Sequence, residues 1–367
     1  MNFNSTDAWV LIKDQGKATF KRKVFQFEEI KKDEVLVKPI YGCVEGNLSH
    51  AINLKPEDIF TSRNEEEIIL GNGGVVQVDS IGSEVSNLKV GDYGIFFCNG
   101  EPDEFGYPKK ITAFDKPNSM GVLAKKLKLH HSEIIKVPKD SNVTLQQWAA
   151  FSLKYVTAWS NFNIAYKCWQ SQMPNVSPED TYVFGWGGGV TFAELMLAKK
   201  LGCKCFLMTS KKERLDMLEN YGITGVDRNV YCKSDEDFLT FVDRVTNGRG
   251  VSIFIDNIGQ SVYKLTMKSL GRQGVIATSG WKTGNMLPLL RANECQMRHI
   301  HVHTHYASYE EGVEAIDFAI KHNWLPPLDG VEYTFNEVPK LLESYNAGEI
   351  SSWFPIFQVN KRGEKND

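Results

Sequence analysis

The sequence TYVFGWGGGVT at residues 181–191 decides the fold of this chain. Its first four residues form an apolar run typical of a buried strand, and residues 190–201 carry apolar side chains at helical spacing. The glycines between them let the backbone approach a phosphate closely, and the helix N-terminus offers free N–H groups and a partial positive charge. The segment therefore predicts the strand, turn and helix that open a dinucleotide-binding domain. A tight turn without a ligand is the alternative.

Strand-like and helix-like segments alternate after residue 181, which is typical of a parallel sheet built from βαβ units. The further elements predicted in this part are strands at residues 204–208, 251–255 and 274–277 and a helix at residues 211–221. The first 150 residues and the end of the chain instead carry short apolar runs broken by Gly, Pro, Asp and Asn. These β-type runs are residues 35–40, 74–78, 94–97, 134–137, 331–335 and 353–357. The fold class is therefore α/β, with a Rossmann-type doubly wound parallel sheet and a separate β-rich domain.

Length and composition narrow the range of functions. The 367 residues suit about two domains of roughly 100–200 residues each. With 42 Lys and Arg against 45 Asp and Glu, the net charge of −3 gives no general attraction to nucleic acid or to an anionic membrane. No apolar run reaches the roughly 18–20 residues of a membrane span, and the polar first seven residues do not resemble a signal peptide. The seven scattered cysteines indicate reduced thiols, so we expect a cytoplasmic protein.

The end of the second predicted strand distinguishes NAD from NADP. A carboxylate there would bind the ribose 2′-hydroxyl of NAD, whereas residues 208–214 read Met-Thr-Ser-Lys-Lys-Glu-Arg. Hydroxyl groups followed by Lys211, Lys212 and Arg214 supply donors and positive charge for a 2′-phosphate. The sequence therefore favours NADPH as the cofactor. The alternative is that these three side chains form an ordinary solvated first turn of a helix.

Taken in order, these features resemble the medium-chain dehydrogenase/reductase superfamily, in its zinc-independent quinone reductase and enoyl reductase branch. The resemblance covers nearly the whole chain. Residues 71–92, GNGGVVQVDSIGSEVSNLKVGD, are similar to the family's long glycine-rich signature. The other matching segments are the helix entering the cofactor domain, at residues 148–151 and 157–159, and cofactor-side loops at residues 185–191, 256–259 and 279–280.

The resemblance implies a GroES-like catalytic domain of residues 1–150 and 331–367 around an inserted Rossmann dinucleotide-binding domain of residues 151–330. It also implies an active site in the cleft between the domains, and a homodimer. The resemblance implies that Thr157 contacts the nicotinamide carboxamide and that Gly187, Gly188, Gly189 and Val190 contact the pyrophosphate. It also implies that Ser210 and either Lys211 or Lys212 contact the 2′-phosphate, next to the Arg214 that the charge argument adds, and that Asn257, Ser279 and Gly280 lie near the nicotinamide ribose.

The sequence departs from the family pattern in the glycine-rich turn and at the positions of the zinc ligands. Thr191 stands at the family's third turn glycine, and we expect its Cβ to loosen helix–strand packing or to shift the phosphate slightly. The family's Gly-His-Glu is Gly71-Asn72-Gly73 here, and a gapless alignment puts Glu45 where zinc-dependent members have a ligand cysteine. Asn72 is a poor zinc ligand, and the four closely spaced cysteines of a structural zinc site are missing from the sequence. We therefore expect a site without a metal.

Two features of the sequence leave a metal site as an alternative. A small shift of the alignment makes Cys43 a candidate ligand, although a small core cysteine is the simpler interpretation. Residues 299–305 read HIHVHTH, and in a strand all four histidines project to one face, about 6–7 Å apart. Such a row can bind zinc or copper. The favoured interpretation is a strand at the edge of the cofactor domain, with its polar face toward water, the cleft or a partner subunit.

Without a metal, hydrogen-bond donors must stabilise the negative charge that hydride transfer builds on a substrate oxygen. The polar loop of residues 45–50 lies where the family places substrate-side groups. We expect Asn47 to donate to that oxygen, His50 to deliver or relay the proton, and Glu45 to orient His50 or a lysine. One alternative is that these side chains only satisfy loop backbone. Another is a tyrosine proton donor, with the candidates Tyr41, Tyr93 and Tyr155.

Residues 99–128 combine positive charge with aromatic side chains. The residues concerned are Lys109, Lys110, Lys116, Lys125, Lys126, Lys128, Phe105, Tyr107 and Phe114. Such a surface suits the phosphates and adenine of a coenzyme A thioester, although a long solvated loop is the favoured interpretation.

The leading functional hypothesis is a zinc-independent NADPH-dependent reductase of an activated double bond, with an enoyl thioester as substrate. The alternatives are a quinone or enone oxidoreductase acting on a small molecule, and a non-catalytic NADPH-binding protein. A zinc alcohol dehydrogenase is the least favoured.

Overall fold

The computed structural model describes residues 3–280 and 297–362, and the chain divides into two compact units. Unit 1 comprises Met1–Val156 and Ser308–Asp367, and unit 2 comprises Thr157–Ala307. The strands are β1 (Phe3–Asp14), β2 (Lys17–Glu28), β3 (Glu34–Cys43), β4 (Glu67–Ile68), β5 (Gly74–Ile81), β6 (Tyr93–Phe96), β7 (Leu127–His130), β8 (Ile134–Lys136), β9 (Tyr182–Trp186), β10 (Lys204–Thr209), β11 (Thr224–Asp227), β12 (Val251–Asp256), β13 (Leu270–Ala277), β14 (His301–His303), β15 (Glu332–Thr334) and β16 (Ile356–Gln358). The helices are α1 (Gly46–Asn53), α2 (Ile59–Arg63), α3 (Leu145–Gln172), α4 (Gly189–Lys200), α5 (Lys212–Leu218), α6 (Arg228–Tyr231), α7 (Asp235–Thr246), α8 (Tyr263–Ser269), α9 (Tyr309–His322) and α10 (Val338–Asn346).

Unit 1 is built on two β-sheets. A three-stranded antiparallel sheet has the order β2-β1-β4, and a larger sheet has the order β15-β16-β3-β5-β6-β8, with β7 also paired to β3. All strand pairs of the larger sheet are antiparallel except β15 with β16. Val35, Val37, Val76 and Phe96 lie in one buried apolar cluster, which is the core that these sheets share.

The described residues of unit 2 contain a parallel sheet of six strands in the order β11-β10-β9-β12-β13-β14. In this order the chain runs outward from β9 in one direction and then from β12 in the other, as in a doubly wound dinucleotide-binding sheet. Its core is strongly aromatic: Phe184 stacks on Phe206 with ring centroids 4.4 Å apart, and Trp186 stacks on Phe254 at 5.6 Å. The predicted α/β fold class is confirmed.

Residues 308–330 lie in unit 1, whereas the sequence grouped them with the cofactor domain. The physical reason is the packing of α9 and the segment after it. The Tyr309 hydroxyl donates to the Ile134 carbonyl over 3.3 Å, and the Trp324 ring lies 4.6 Å from that of Tyr155. In the sequence, α9 looks like one more helix of the βα alternation, because its amphipathic pattern does not reveal which sheet it packs against.

Two local expectations need correction. Residues 45–50 were expected to form a loop, but most of them lie in α1, because Leu48 and Ala51 are buried and anchor a helix. Residues 299–305 were expected to be one strand, but only residues 301–303 form β14, and His299 has a left-handed φ of 54°. The four histidines therefore do not form a single row, although β14 does lie at the edge of the sheet as predicted. Within the described residues, no helix is both long enough and apolar enough to cross a membrane.

Candidate active site

The glycine-rich turn connects β9 to α4, as the sequence predicts. Gly188 is the N-cap of α4 and has no side chain with which to cap the helix. A Cβ on Gly188 would meet no atom within 4 Å in the described part of the chain, so open space lies over the turn. Gly187, Gly189 and Val190 are half-buried beside it. An open turn at an uncapped helix N-terminus fits a phosphate group.

Thr191 does not loosen the packing of α4 on β9, contrary to expectation. Its side chain is fully buried, and its hydroxyl donates to the Trp186 carbonyl over 3.0 Å. A Cβ on Gly185 would lie 2.3 Å from the Thr191 Cγ2 atom, so a glycine in β9 provides the room that the threonine methyl needs. The close helix–strand contact is therefore kept by a glycine on the strand instead of one on the helix.

Basic and hydroxyl side chains follow β10, next to the turn. Lys211 is the N-cap of α5, whose first turn contains Lys212 and Arg214. Arg214 Nη1 donates to the Gly187 carbonyl over 3.4 Å, which brings the predicted 2′-phosphate and pyrophosphate residues together. The Ser210 carbonyl accepts a hydrogen bond of 3.4 Å from the Asn229 amide. The residues present therefore fit a phosphorylated dinucleotide, with positive charge at the end of β10.

Asn257 links two of the predicted nicotinamide-side loops. Its Oδ1 atom accepts hydrogen bonds from the Ser279 N–H, over 2.8 Å, and from the Ser279 hydroxyl, over 3.0 Å. Its Nδ2 atom donates to the Thr191 hydroxyl over 3.1 Å and to Glu194 Oε2 over 3.2 Å. Gly280 packs tightly here, because a Cβ on it would lie 2.7 Å from the Asn257 carbonyl oxygen. The structure thus brings Asn257, Ser279 and Gly280 together.

Glu194 is a functional candidate that the sequence reasoning missed. It is fully buried in α4 and accepts hydrogen bonds from two side-chain amides, those of Asn161 at 2.8 Å and Asn257 at 3.2 Å. Burial raises the pKa of Glu194 to about 8, and the two amide N–H groups only partly oppose this. The sequence signal that could have revealed Glu194 is its position within the apolar run FAELMLA.

In unit 1, Glu45 pairs with a lysine, one of its two expected partners. Glu45 is buried at the N-cap of α1, and its Oε2 atom lies 3.4 Å from Lys154 Nζ. Lys154 also donates to the Val44 carbonyl over 2.8 Å and to Cys43 Sγ over 3.2 Å. Desolvation raises the pKa of Glu45 to about 7 despite the opposing effect of Lys154. Burial likewise raises the pKa of Cys43 to about 12, so its thiol stays protonated at neutral pH.

Gly73 makes room for the Glu45 carboxylate. A Cβ at residue 73 would lie 2.6 Å from Glu45 Oε1, so a side chain there would displace the carboxylate. Glu45 Oε1 and Asn72 Nδ2 are both buried without a hydrogen-bond partner among the described residues. A buried polar atom without a hydrogen-bond partner lowers the free energy of unfolding. The two unpaired atoms therefore indicate that this region serves a function other than stability.

Asn47 and His50 lie on α1, three residues apart and therefore on neighbouring positions of one helix face. Both are half-buried. His50 Nδ1 lies 2.9 Å from the Lys55 carbonyl oxygen. Because a carbonyl only accepts, Nδ1 is the donor in this hydrogen bond, and Nε2 takes no part in it. Their catalytic roles stay predictions, as does the contact of the half-buried Thr157 with the cofactor.

The alternative tyrosine donors are not equivalent. Tyr155 is fully buried, stacked on Phe151 at 5.1 Å and packed against Trp324, so it is a core residue. The Tyr41 hydroxyl accepts hydrogen bonds from the amides of Gln146, at 3.1 Å, and Gln358, at 3.2 Å. Tyr93 is half-buried in β6.

Four of the six lysines expected to face a large substrate are engaged with the protein itself. Lys116 bonds Glu133 at 2.9 Å and Glu101 at 3.0 Å. The other three engaged lysines contact Asp115 (Lys110), the Val359 carbonyl (Lys125), and Glu28 with Glu34 (Lys128). The positive charge that this segment offers to a ligand is correspondingly small.

Comparisons with known proteins agree with this fold. The family model described as zinc-binding dehydrogenase matches residues 189–321. The reducing polyketide synthase hmp8 of Hypomyces subiculosus is 23% identical over 295 residues, covering 80% of this chain but 12% of that protein. The quinone oxidoreductase-like protein 2 homolog of Nematostella vectensis is 23% identical over 286 residues, covering 77% of this chain and 68% of that protein. The solved structure of crotonyl-CoA carboxylase/reductase AntE in complex with NADP has a TM-score of 0.80 at 18% identity, covering 96% of this chain and 94% of that one.

Residues 189–321 thus match a zinc-binding dehydrogenase domain, and the fold as a whole is similar to that of a crotonyl-CoA carboxylase/reductase. The chain is similar to oxidoreductases of the medium-chain dehydrogenase/reductase type, which is the resemblance that its sequence features indicate.

The family description raises the question of zinc, and the residues present do not fit it. Among the described residues, no group of three or more His, Cys, Asp or Glu side chains is placed to bind a metal ion. At the position matched to a zinc ligand, Glu45 faces the buried ammonium of Lys154, which also contacts Cys43. A cation of the protein itself thus lies among the candidate ligands.

Proposed function

We propose that this chain is a zinc-independent, NADPH-dependent reductase of an activated double bond, with an enoyl thioester as its substrate. The observation that carries the proposal is the junction of β9 and α4, where an open glycine turn lies within hydrogen-bond reach of Arg214. Positive charge beside a phosphate-binding turn favours a 2′-phosphorylated dinucleotide. The NADP bound to the similar AntE structure supports the same cofactor.

The proposed cofactor contacts are those that the family resemblance implies, and the geometry of unit 2 supports them. Residues 187–190 would hold the pyrophosphate, and Ser210, Lys211, Lys212 and Arg214 would hold the 2′-phosphate. Asn257 fixes the Ser279 N–H by hydrogen bonding, which supports a role for Ser279 and Gly280 next to the nicotinamide ribose. Thr157 is proposed to meet the carboxamide.

When bound, NADPH would supply the hydride that reduces the double bond. Negative charge then builds on the thioester oxygen, and the Asn47 amide is proposed to donate a hydrogen bond to it. His50 is proposed to deliver the proton from Nε2, since its Nδ1 donates to the Lys55 carbonyl. Glu45, bonded to Lys154, anchors the start of the helix that carries both side chains.

The substrate class rests on relatives. Reducing polyketide synthases and a crotonyl-CoA carboxylase/reductase are among the proteins that this chain resembles, and a 2-haloacrylate reductase of Burkholderia sp. is another. All three names include a reduction. We propose in addition that the enzyme works as a homodimer in the cytoplasm, in line with the free thiols found for the described cysteines.

A quinone or simple enone is the second candidate substrate. The observation that favours it is the engagement of Lys110, Lys116, Lys125 and Lys128 with the protein, which leaves little charge for coenzyme A phosphates. The similarity to a quinone oxidoreductase-like protein supports it as well.

The test is the rate of NADPH oxidation by purified protein, with a short enoyl-CoA and a matched simple enone compared side by side. NADH at equal concentration is the cofactor control. We expect rapid oxidation with the thioester and little with the enone or with NADH. Preference for the enone would assign the second candidate. Tight NADPH binding without turnover of either acceptor would refute both and leave a binding protein.

A further inference from the structure

A buried ammonium group ties the junction of β3 and α1 to α3. Lys154 is only 4% exposed, and its Nζ atom contacts three consecutive residues. The distances are 3.2 Å to Cys43 Sγ, 2.8 Å to the Val44 carbonyl and 3.4 Å to the Glu45 carboxylate. The same nitrogen lies 5.3 Å from the ring centroid of Phe354, within cation–π range.

Stability alone does not explain this arrangement. Lysine is almost never fully buried, and a buried ion pair is often no more stabilising than apolar residues of the same volume. The three N–H donors of the ammonium match these three acceptors, so Lys154 has no donor left for a substrate. Its role is therefore to hold other residues, not to touch the reacting atoms.

The groups around Lys154 are those that bind a divalent metal ion in other proteins. A thiol and a carboxylate are common zinc ligands, and here both face the ammonium. A divalent ion placed among them would meet a fixed positive charge at about hydrogen-bond distance. In a low-dielectric interior, that repulsion is large.

We propose that Lys154 is a built-in cation that takes the place of a metal ion: it excludes a divalent ion from the Cys43–Glu45 pair and holds the start of α1 in position. The catalytic consequence, correct placement of Asn47 and His50 on α1, rests on the proposed function. The exclusion of a metal ion does not rest on the proposed function, and it is tested separately.

The test uses Co²⁺, because a cobalt–thiolate bond has a charge-transfer absorption in the near ultraviolet. Wild type, Lys154→Ala, Lys154→Arg and the double variant Lys154→Ala/Cys43→Ala are titrated with Co²⁺ alone. We expect no Cys43-dependent band for wild type or Lys154→Arg, which keep a cation. Lys154→Ala should gain a band that saturates near one equivalent, and the double variant should lose it. The double variant is needed because other described cysteines are also free thiols.

Two results would overturn the proposal. One is a cobalt band in wild type that disappears in Cys43→Ala, since the pocket would then be a metal site despite Lys154. The other is a folded Lys154→Ala that gains no band. Circular dichroism and the cooperativity of urea unfolding report whether each variant is folded. If Lys154→Ala does not fold, the comparison of wild type with Cys43→Ala still decides.

Steady-state kinetics test whether Lys154 positions α1. Lys154→Ala should lower kcat at least tenfold with little change in the KM for NADPH, and Lys154→Arg should recover part of the loss. An equal loss in both variants, or a rise in KM alone, would contradict positioning through the charge. If no acceptor is turned over at all, the proposed function fails, while the cobalt titration still decides the nature of the pocket.

Discussion

Replacing Glu194 by glutamine should change how the stability of unit 2 depends on pH. Glu194 is fully buried in α4, and its contacts are the neutral amides of Asn161 and Asn257. Burial raises its pKa to about 8, compared with an ordinary value of 4.5. Folded protein therefore keeps a proton on Glu194 through a pH range in which the unfolded chain has lost it.

The sign and size of the effect follow from this linkage. Because the folded state binds more protons, the stabilisation is complete below about pH 4.5 and is lost as pH rises toward 8. The slope is roughly 1.4 kcal/mol per pH unit, and the whole effect is on the order of 5 kcal/mol. Glutamine resembles the protonated acid in shape but does not titrate, so Glu194→Gln removes this contribution.

Urea unfolding of wild type and Glu194→Gln at intervals between pH 5 and pH 9 measures the difference directly. The wild type should lose stability relative to the variant as pH rises, until the variant is the more stable protein near pH 8. Glu219→Gln, at an exposed glutamate of the same unit, is the matched control and should give a flat difference. A flat difference for Glu194→Gln as well would refute the conclusion that Glu194 is neutral at pH 7.

Three further predictions concern other parts of the site. Arg214→Ala should raise the KM for NADPH about tenfold and leave that for NADH unchanged in steady-state assays, because one charge-assisted contact is lost; equal effects on both cofactors would contradict a role at the 2′-phosphate. Gly185→Ala should lower the free energy of unfolding by roughly 1–3 kcal/mol in a denaturation experiment, because the new Cβ would lie 2.3 Å from Thr191 Cγ2. Gly188→Ala is the control: its Cβ would lie in open space, and it should lower the free energy of unfolding by less than about 1 kcal/mol. Asn47→Ala should lower kcat about 100-fold with little change in the KM for NADPH, and an unchanged kcat would remove Asn47 from the chemistry.

Much of unit 2 was predictable because its signals are local. The strands β9, β10, β12 and β13 each contain a short apolar run, and the glycine turn lies directly between a strand and a helix. The strand β11, with the sequence Thr-Gly-Val-Asp, contains no such run and was not predicted. The basic residues after β10 are also read directly from the sequence, and their closeness to the turn follows from the topology of a parallel sheet.

The polar clusters were not predictable because their members are far apart in sequence. Lys154 bonds the carbonyl of a residue 110 positions earlier, and Asn161 bonds a carboxylate 33 positions later. Periodicity gives no information on such pairs. Single charged residues within apolar helical runs were the only hint.

The effect of Thr191 was misjudged for a similar reason. Its steric consequence depends on Gly185, which faces it across the strand–helix contact. A position-by-position comparison with the family motif shows that the helix lacks a glycine at residue 191. It does not show that Gly185 on the strand compensates for this.

The most direct test of the account is NADPH oxidation with an enoyl-CoA by protein dialysed against a strong chelator and analysed for metals. We expect the full rate to remain in metal-free protein and added Zn²⁺ not to increase it. Loss of the rate on chelation, with recovery on stoichiometric Zn²⁺, would contradict a metal-independent reductase in which Lys154 supplies the fixed positive charge.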